Sequence, residues 1–380
     1  MKRIRKIIKK MLVTIGILIG VIIIGGLLFL NLSPQFGGKH TEEAVTYFEK
    51  SQNFKDGKFT NKSPTKTSPS LKDIGKVLKV MTGGSPNATP STPIKVEKVS
   101  KEELAEVSAV TKFVWFGHSS FLLEIQGKRI LLDPMFGQVA APISWMGSKR
   151  FSKELPVDIK DLPSIDAVIF SHDHYDHLDY GTIQKIKSRV KKYYTPLGLG
   201  THLQAWGVKK EDIVELDWWE ETKFEDLKLI ATPARHFSGR GLSDTRATLW
   251  ASWIIQSETE NIYFGGDSGY DTHFKAIGDK YGPFDLALLE CGQYNDDLPD
   301  YPIHMYPEET AQAALDVRAK YTMPIHWAAF KLNQHAWKEP TERIKKEAKE
   351  LNVNLVTPKI GQVFTLNNLE NSSSNWWEDL

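Results

Sequence analysis

The chain has one cysteine, Cys291. No intramolecular disulfide can form, and a thiolate-based zinc site is excluded because it needs several cysteines. Cys291 follows the apolar run FDLALLE and reads as a small buried residue rather than a nucleophile. The sequence has neither a G-x-x-x-x-G-K-[ST] phosphate loop nor a G-x-G-x-x-G turn, so the glycines of GGDSGY give nucleotide binding no support. It has no G-x-S-x-G elbow, which removes the α/β serine-hydrolase reading. No internal repeat suggests a solenoid.

Two further absences mark the N-terminus. Residues 1–10 carry Lys2, Arg3, Arg5, Lys6, Lys9 and Lys10 but no acid, which leaves the rest of the chain at −5 against a whole-chain charge of +1. That mildly acidic body gives no reason to expect nucleic acid as a partner. Met11–Leu32 contains no charged residue at all. As a helix it would reach ~33 Å, enough for the ~30 Å hydrocarbon core of a bilayer. A cleaved signal peptide would have a shorter apolar region of ~7–15 residues and a small-residue cleavage site. The following LNLSPQFGGKH offers no A-x-A pattern. The expectation is a single-pass anchor in the cell membrane, with the basic head cytoplasmic and the catalytic domain extracytoplasmic.

Residues 33–110 read as a linker or preamble, rich in Ser, Thr, Pro and Gly in NKSPTKTSPS and GGSPNATPSTP. Within it LKDIGKVLKVM has the spacing of a short amphipathic helix. From 111 to 365 short apolar runs end in polar turns. KFVWFG enters HSS, while FLLEI and RILLDP flank Gln126-Gly127-Lys128 as a hairpin. YGTIQKIKSRVKK places Ile183, Ile186 and Val190 on one helical face. YPEETAQAALDVRAK sets Pro307 at a first turn with Glu308 and Glu309 behind it, and EPTERIKKEAKEL begins alike. Strands alternating with helices predict an α/β architecture. The polar tail 366–380 reads as poorly ordered, with Trp376 and Trp377 available to dock. The eleven tryptophans read mostly as core, some as candidates for an acyl-chain groove.

One stretch concentrates chemistry. SHDHYDHLD, residues 171–179, follows the apolar run Ala167–Phe170 and holds three of the eleven histidines in the pattern His-x-His-x-Asp-His. Imidazole and carboxylate suit zinc and its transition-metal neighbours. Three more ligand-type residues follow or end apolar strands: His236 in TPARHFSGRG, Asp267 in GGDSGY and His326 in MPIHW. With His172, His174, Asp176 and His177 they make seven. A catalytic zinc takes about three protein ligands and keeps a position for water. Seven therefore divides as three, three and one bridging carboxylate, more than a single structural zinc would need.

The order His-x-His-x-Asp-His, His, Asp, His resembles the metallo-β-lactamase superfamily. The resemblance covers roughly residues 112–364 and leaves no ligand position of the superfamily empty. It implies an αββα sandwich with a binuclear metal site at one edge. WFGHSSFLLEIQGKRILLDPMF, TPARHFSGRG, GGDSGY, IHW and the upstream DGKFTNKSP resemble the branch of N-acylphosphatidylethanolamine-hydrolysing phospholipase D and its bacterial relatives. Carried over, the resemblance puts His172, His174 and His236 on one Zn(2+), Asp176, His177 and His326 on a second, and Asp267 between them, with iron or manganese as tolerable substitutes. A metal-bridging hydroxide would attack phosphorus or a carbonyl without a covalent enzyme intermediate. Asp176 would orient it or take a proton, and His304, in YPIHMYPEE, would serve the reacting oxygen or leaving group.

His118, in FGHSSF, reads equally as a support for a ligand or as a substrate contact. Arg235 and Arg240 flank His236; phosphate binding competes there with ordinary surface arginine. His40, His202 and His335 have no pattern around them, and His273 is redundant beside Asp267. Ser171 and Asp173 are left without a role at the metals. The function expected is a membrane-anchored hydrolase of a phosphodiester, a lipid or a small molecule. A lactonase or ester hydrolase, or a non-enzymatic metal-binding envelope protein, are the alternatives.

Overall fold

Period-two alternation of apolar side chains sorts most of the strands into two sheets that share a core. The computed structural model describes residues 2–380 apart from 68–69, 74, 77–83, 109, 146 and 297–300. A small ladder of β1 (Phe54–Lys55) and β2 (Lys58–Phe59) precedes the main body. Strands β3 (Lys112–Trp115), β4 (Phe121–Ile125), β5 (Lys128–Leu132), β6 (Ile165–Ile169), β7 (Val190–Pro196) and β8 (Ile213–Leu216) lie side by side in that order. Strands β9 (Glu221–Phe224), β10 (Leu227–Thr232), β11 (Ser252–Gln256), β12 (Asn261–Phe264), β13 (Phe284–Glu290) and β14 (Ala319–Ile325) form the second sheet, and β15 (Val363–Thr365) returns to the edge of the first beside β3.

Each sheet begins antiparallel and ends parallel. The β4–β5 hairpin turns on Gln126 and Gly127, both at positive φ, the backbone that a two-residue hairpin loop needs. Pairing is parallel from β5 through β8 and from β12 through β14, so these strands deliver their carboxyl ends to one edge. In β10, Leu229 and Ala231 enter the core between the sheets with Ile169, Trp253 and Ile255. Ile230 points the other way, into a cluster with Phe274 and Ile277 of helix His273–Tyr281 and Ala313 and Ala314 of helix Pro307–Asp316. On the far face of the first sheet, Val168 and Phe170 pack with Ile183 and Ile186 of helix Tyr180–Ile186. The result is the expected αββα sandwich.

The details differ from the sequence reading in three places. Val190 begins β7 rather than extending the helical face, because the helix stops at Ile186 and VKKYYTP continues as a strand. The tail is held by its aromatics. Trp377 is 0% exposed, and Trp376 stacks on Trp327 at 5.4 Å between ring centroids. Burying rings of this size outweighs the ordering of a short polar segment. Most of the proposed amphipathic helix over 71–81 lies outside the described residues, and Leu71–Asp73 is a 3₁₀ turn.

Helix Lys2–Leu32 carries the basic head and the uncharged run as one piece, long and apolar enough to cross a membrane. The segment behind it lies on the body. Trp206 Nε1 donates to Pro34 O at 2.7 Å, Gly38 N donates to His202 Nδ1 at 3.1 Å, and Phe48 and Phe59 are buried.

Candidate metal centre

The seven residues singled out above meet along the edge where the parallel strands end. His172, His174, Asp176 and His177 follow β6, His236 lies four residues past β10, Asp267 three past β12 and His326 immediately after β14. His118, Asp133 and His326 stand at φ +56°, +36° and +64°, a left-handed backbone that non-glycine residues enter at a cost of about 1–2 kcal/mol. The backbones of two of these loops are bonded to each other, His118 N to Trp327 O at 3.1 Å and His326 N to His118 O at 3.2 Å.

Two clusters of donor atoms result. His174 Nδ1 lies 2.9 Å from His172 Nε2 and 3.2 Å from His236 Nε2. Asp176 Oδ2 lies 3.3 Å from His326 Nε2 and 3.4 Å from His177 Nε2. Asp267 Oδ2 stands between the clusters, 3.0 Å from His326 Nε2, 3.2 Å from His177 Nε2 and 3.8 Å from both His172 Nε2 and His236 Nε2. A tetrahedral cation bound at ~2.0–2.1 Å needs ligand atoms ~3.3–3.4 Å apart. The observed spacings bracket that value.

The far side of most rings is committed. His236 Nδ1 donates to Ile303 O at 2.8 Å, and His177 Nδ1 donates to Asp133 Oδ2 at 2.7 Å. Ser171 Oγ gives its proton to Asp133 and so accepts from His172 Nδ1 at 2.9 Å. These bonds leave Nε2 of His172, His177 and His236 as the ring nitrogen that faces the centre. Asp267 Oδ1 is buried with no hydrogen-bond partner among the described residues, which is costly unless a cation engages it. The residues present therefore fit a divalent metal.

Electrostatics divides the centre. Burial pushes His172, His174 and His236 down, so these rings stay neutral. Burial also works to lower His177 and His326, but carboxylates outweigh it and hold both rings well above the usual range: Asp267, Asp176 and Asp133 around His177, Asp267 and Asp176 around His326. Those same histidines keep Asp176 and Asp267 well below the usual carboxylate range, although burial alone would raise them.

Supporting residues were partly hidden in the sequence. His118 is buried and held down to about 3 by desolvation, so its neutral Nε2 donates to Asp176 Oδ2 at 2.8 Å. It braces a candidate ligand. His304 Nδ1 donates to Glu290 Oε2 at 2.8 Å, its ring stacked 5.1 Å from that of His326. Asp133 and Glu290, both 0% exposed, have no counterpart in the sequence reading. The usable signal was that each acid closes an apolar strand, in RILLDP and FDLALLE, as the singled-out residues do. Asp173 accepts from Gly239 N, Thr248 Oγ1 and His202 Nε2, so it ties the two ligand loops and gives His202 a partner. Arg240 is only 3% exposed and donates to Leu178 O, Asp173 O and Gln35 O, while Arg235 donates to Thr65 Oγ1, Pro64 O and Tyr270 O. Both arginines hold loops together rather than standing free on the surface.

A double sheet between helices, with histidines and aspartates converging at its strand ends, defines the class as an αββα sandwich with a candidate metal centre at one edge. Comparison supplies the family. Residues 128–327 match the model of the β-lactamase superfamily domain, and the chain belongs to the metallo-β-lactamase superfamily. It is 40% identical over 341 residues to an uncharacterized protein of Mycobacterium tuberculosis, covering 88% of this chain and 89% of that one. It is 32% identical over 265 residues to N-acyl-phosphatidylethanolamine-hydrolyzing phospholipase D 1 of Caenorhabditis elegans, covering 66% and 74%. Among solved structures, an isothiocyanate hydrolase from Delia radicum gut bacteria superposes with a TM-score of 0.53 at 20% identity, over 67% of this chain and 98% of that one. The protein is a metal-dependent hydrolase that resembles the phospholipase D branch.

Proposed function

We propose that the protein is a binuclear zinc phosphodiesterase of the phospholipase D type, anchored in the cell membrane by helix Lys2–Leu32. The observation that carries the reading is Asp267 Oδ2, which lies within 3.8 Å of histidine nitrogens from both clusters. His172, His174 and His236 would hold one metal, Asp176, His177 and His326 the other, and Asp267 would serve both. All-nitrogen and oxygen donors without cysteine suit zinc. When bound, such a pair lowers the pKa of a shared water and polarises the reacting oxygen.

The chain's own residues orient the reaction. Asp176, fixed by His118, positions the nucleophile. His304 has Nδ1 committed to Glu290, so Nε2 is the ring atom that exchanges a proton with the leaving oxygen. Similarity to a phospholipase D acting on N-acyl phosphatidylethanolamine, together with the apolar helix, supports a lipid phosphodiester as substrate. The basic residues before the helix support a cytoplasmic head and an extracytoplasmic body.

Full-length protein in detergent, stripped by chelator and reloaded with Zn(II), tests this. Each chain should bind two equivalents and regain hydrolysis of N-acyl phosphatidylethanolamine and bis-p-nitrophenyl phosphate. Faster turnover of lactones than of either phosphodiester would replace the reading with ester hydrolysis. Two bound metals with no hydrolysis of any class would make it a metal-binding envelope protein.

A further inference from the structure

His236 lies four residues past the end of β10, in a loop that no ladder holds. Its backbone is gripped instead by one side chain from the other end of the chain. His236 N donates to Asn61 Oδ1 at 3.1 Å, and Asn61 Nδ2 donates back to His236 O at 2.8 Å. The amide thus pairs with this single residue as a neighbouring strand would. Its orientation is dictated, because Trp250 Nε1 also needs the oxygen as acceptor, at 3.2 Å, while donating to Ala234 O at 3.0 Å. With Nδ1 on Ile303 O, the backbone and the far side of the ring are both fixed, and only Nε2 faces the centre.

Asn61 belongs to the stretch DGKFTNKSP, which the reaction scheme leaves without a task. That stretch is itself pinned beside the His236 loop. Phe59 is 0% exposed and its N–H donates to Arg246 O at 2.9 Å; Thr60 N donates to Asn53 O at 2.8 Å. Pro64 O and Thr65 Oγ1 accept from Arg235. The segment that leaves the apolar helix therefore ends in a clamp on the site. The loop of His172 and His174 has bonds of its own as well as outside partners, with His174 O accepting from the N–H groups of His177 and Leu178 and Asp173 accepting from Gly239 N and Thr248 Oγ1.

We propose that Asn61 is a positioning residue for the metal centre, acting through the backbone of His236, so that the segment following the membrane helix is part of the site. The inference rests on His236 being a metal ligand. Partners of this kind contribute about 10–100-fold in metal affinity. Asn61→Ala should therefore weaken one of two Zn(II) equivalents by about 10–100-fold in chelator competition, leave the other unchanged, and shift the visible spectrum of the Co(II)-loaded protein. Asn61→Asp, which keeps the acceptor and loses the donor, should show a smaller loss of the same kind, and it guards against an alanine variant that does not fold. The control is Asn53→Ala. Asn53 Nδ2 donates to Asp217 Oδ1 at 2.7 Å on the same segment, away from the centre, so this variant should lower Tm without altering either metal equivalent.

All measurements use the full-length chain in detergent. Wild-type titration and Co(II) spectrum in both Asn61 variants would overturn the proposal, as would equal metal loss in Asn53→Ala. Failure of the underlying reading looks different, because wild-type protein would then bind fewer than two equivalents.

Discussion

The two halves of the centre are built from different materials. The half made of His172, His174 and His236 is supported by neutral groups: a serine hydroxyl, the Ile303 carbonyl and the amide of Asn61. Burial keeps its rings uncharged, and Nε2 of His172 and Nε2 of His236 both face Nδ1 of His174. The half made of Asp176, His177 and His326 is set among carboxylates, with Asp133 behind His177 and Glu290 Oε2 3.3 Å from His326 Nδ1. The first half has its donor atoms gathered without an acid behind them, and on the proposed reading its charge would come from a metal. The second carries its own negative charge and is held together by it. Asp267 joins them.

Asp267→Ala removes that join and should have the largest effect. Activity should be abolished and metal content should fall below two equivalents, read by elemental analysis, while circular dichroism stays that of the folded protein. Two retained equivalents would show that the halves do not share this carboxylate.

Asp133→Asn comes next. Its carboxylate fixes His177 directly and His172 through Ser171, so it touches both halves unequally. Metal affinity should fall about 10–100-fold, chiefly at the His177 position. An equal loss at both positions would erase the difference between the halves.

Ser171→Ala is the mildest. It removes the hydroxyl that accepts from His172 and donates to Asp133, at about 1–3 kcal/mol in Tm-derived stability, with both equivalents still bound. Loss of a metal would mean that the hydroxyl bond to His172 matters as much as a charged partner.

Much of the centre was legible because its signals are local. His172, His174, Asp176 and His177 sit within six residues, and each of the other three follows or ends an apolar run that reads as a strand from its own composition. His118 was visible as part of FGHSSF, but its partner was not, because Asp176 lies 58 residues away in sequence. Asp173 and His202 looked idle for the same reason: each satisfies the other across the fold. Asn61 stood in a Ser/Thr/Pro-rich stretch whose composition reads as linker. Nothing local says that Phe48 and Phe59 will pull that stretch into the core.

By itself the sequence determined the sandwich, the long apolar helix and the identities of the seven converging residues, since strand period, hydropathy and ligand chemistry are properties of neighbouring residues. Only the tertiary structure decided which histidines share a cluster and which nitrogen of each ring faces inward. It also decided that residues 61, 118, 133 and 290 hold them there. Those outcomes depend on hydrogen bonds between segments far apart in the chain, which form only after two sheets have packed and brought their strand ends to one edge.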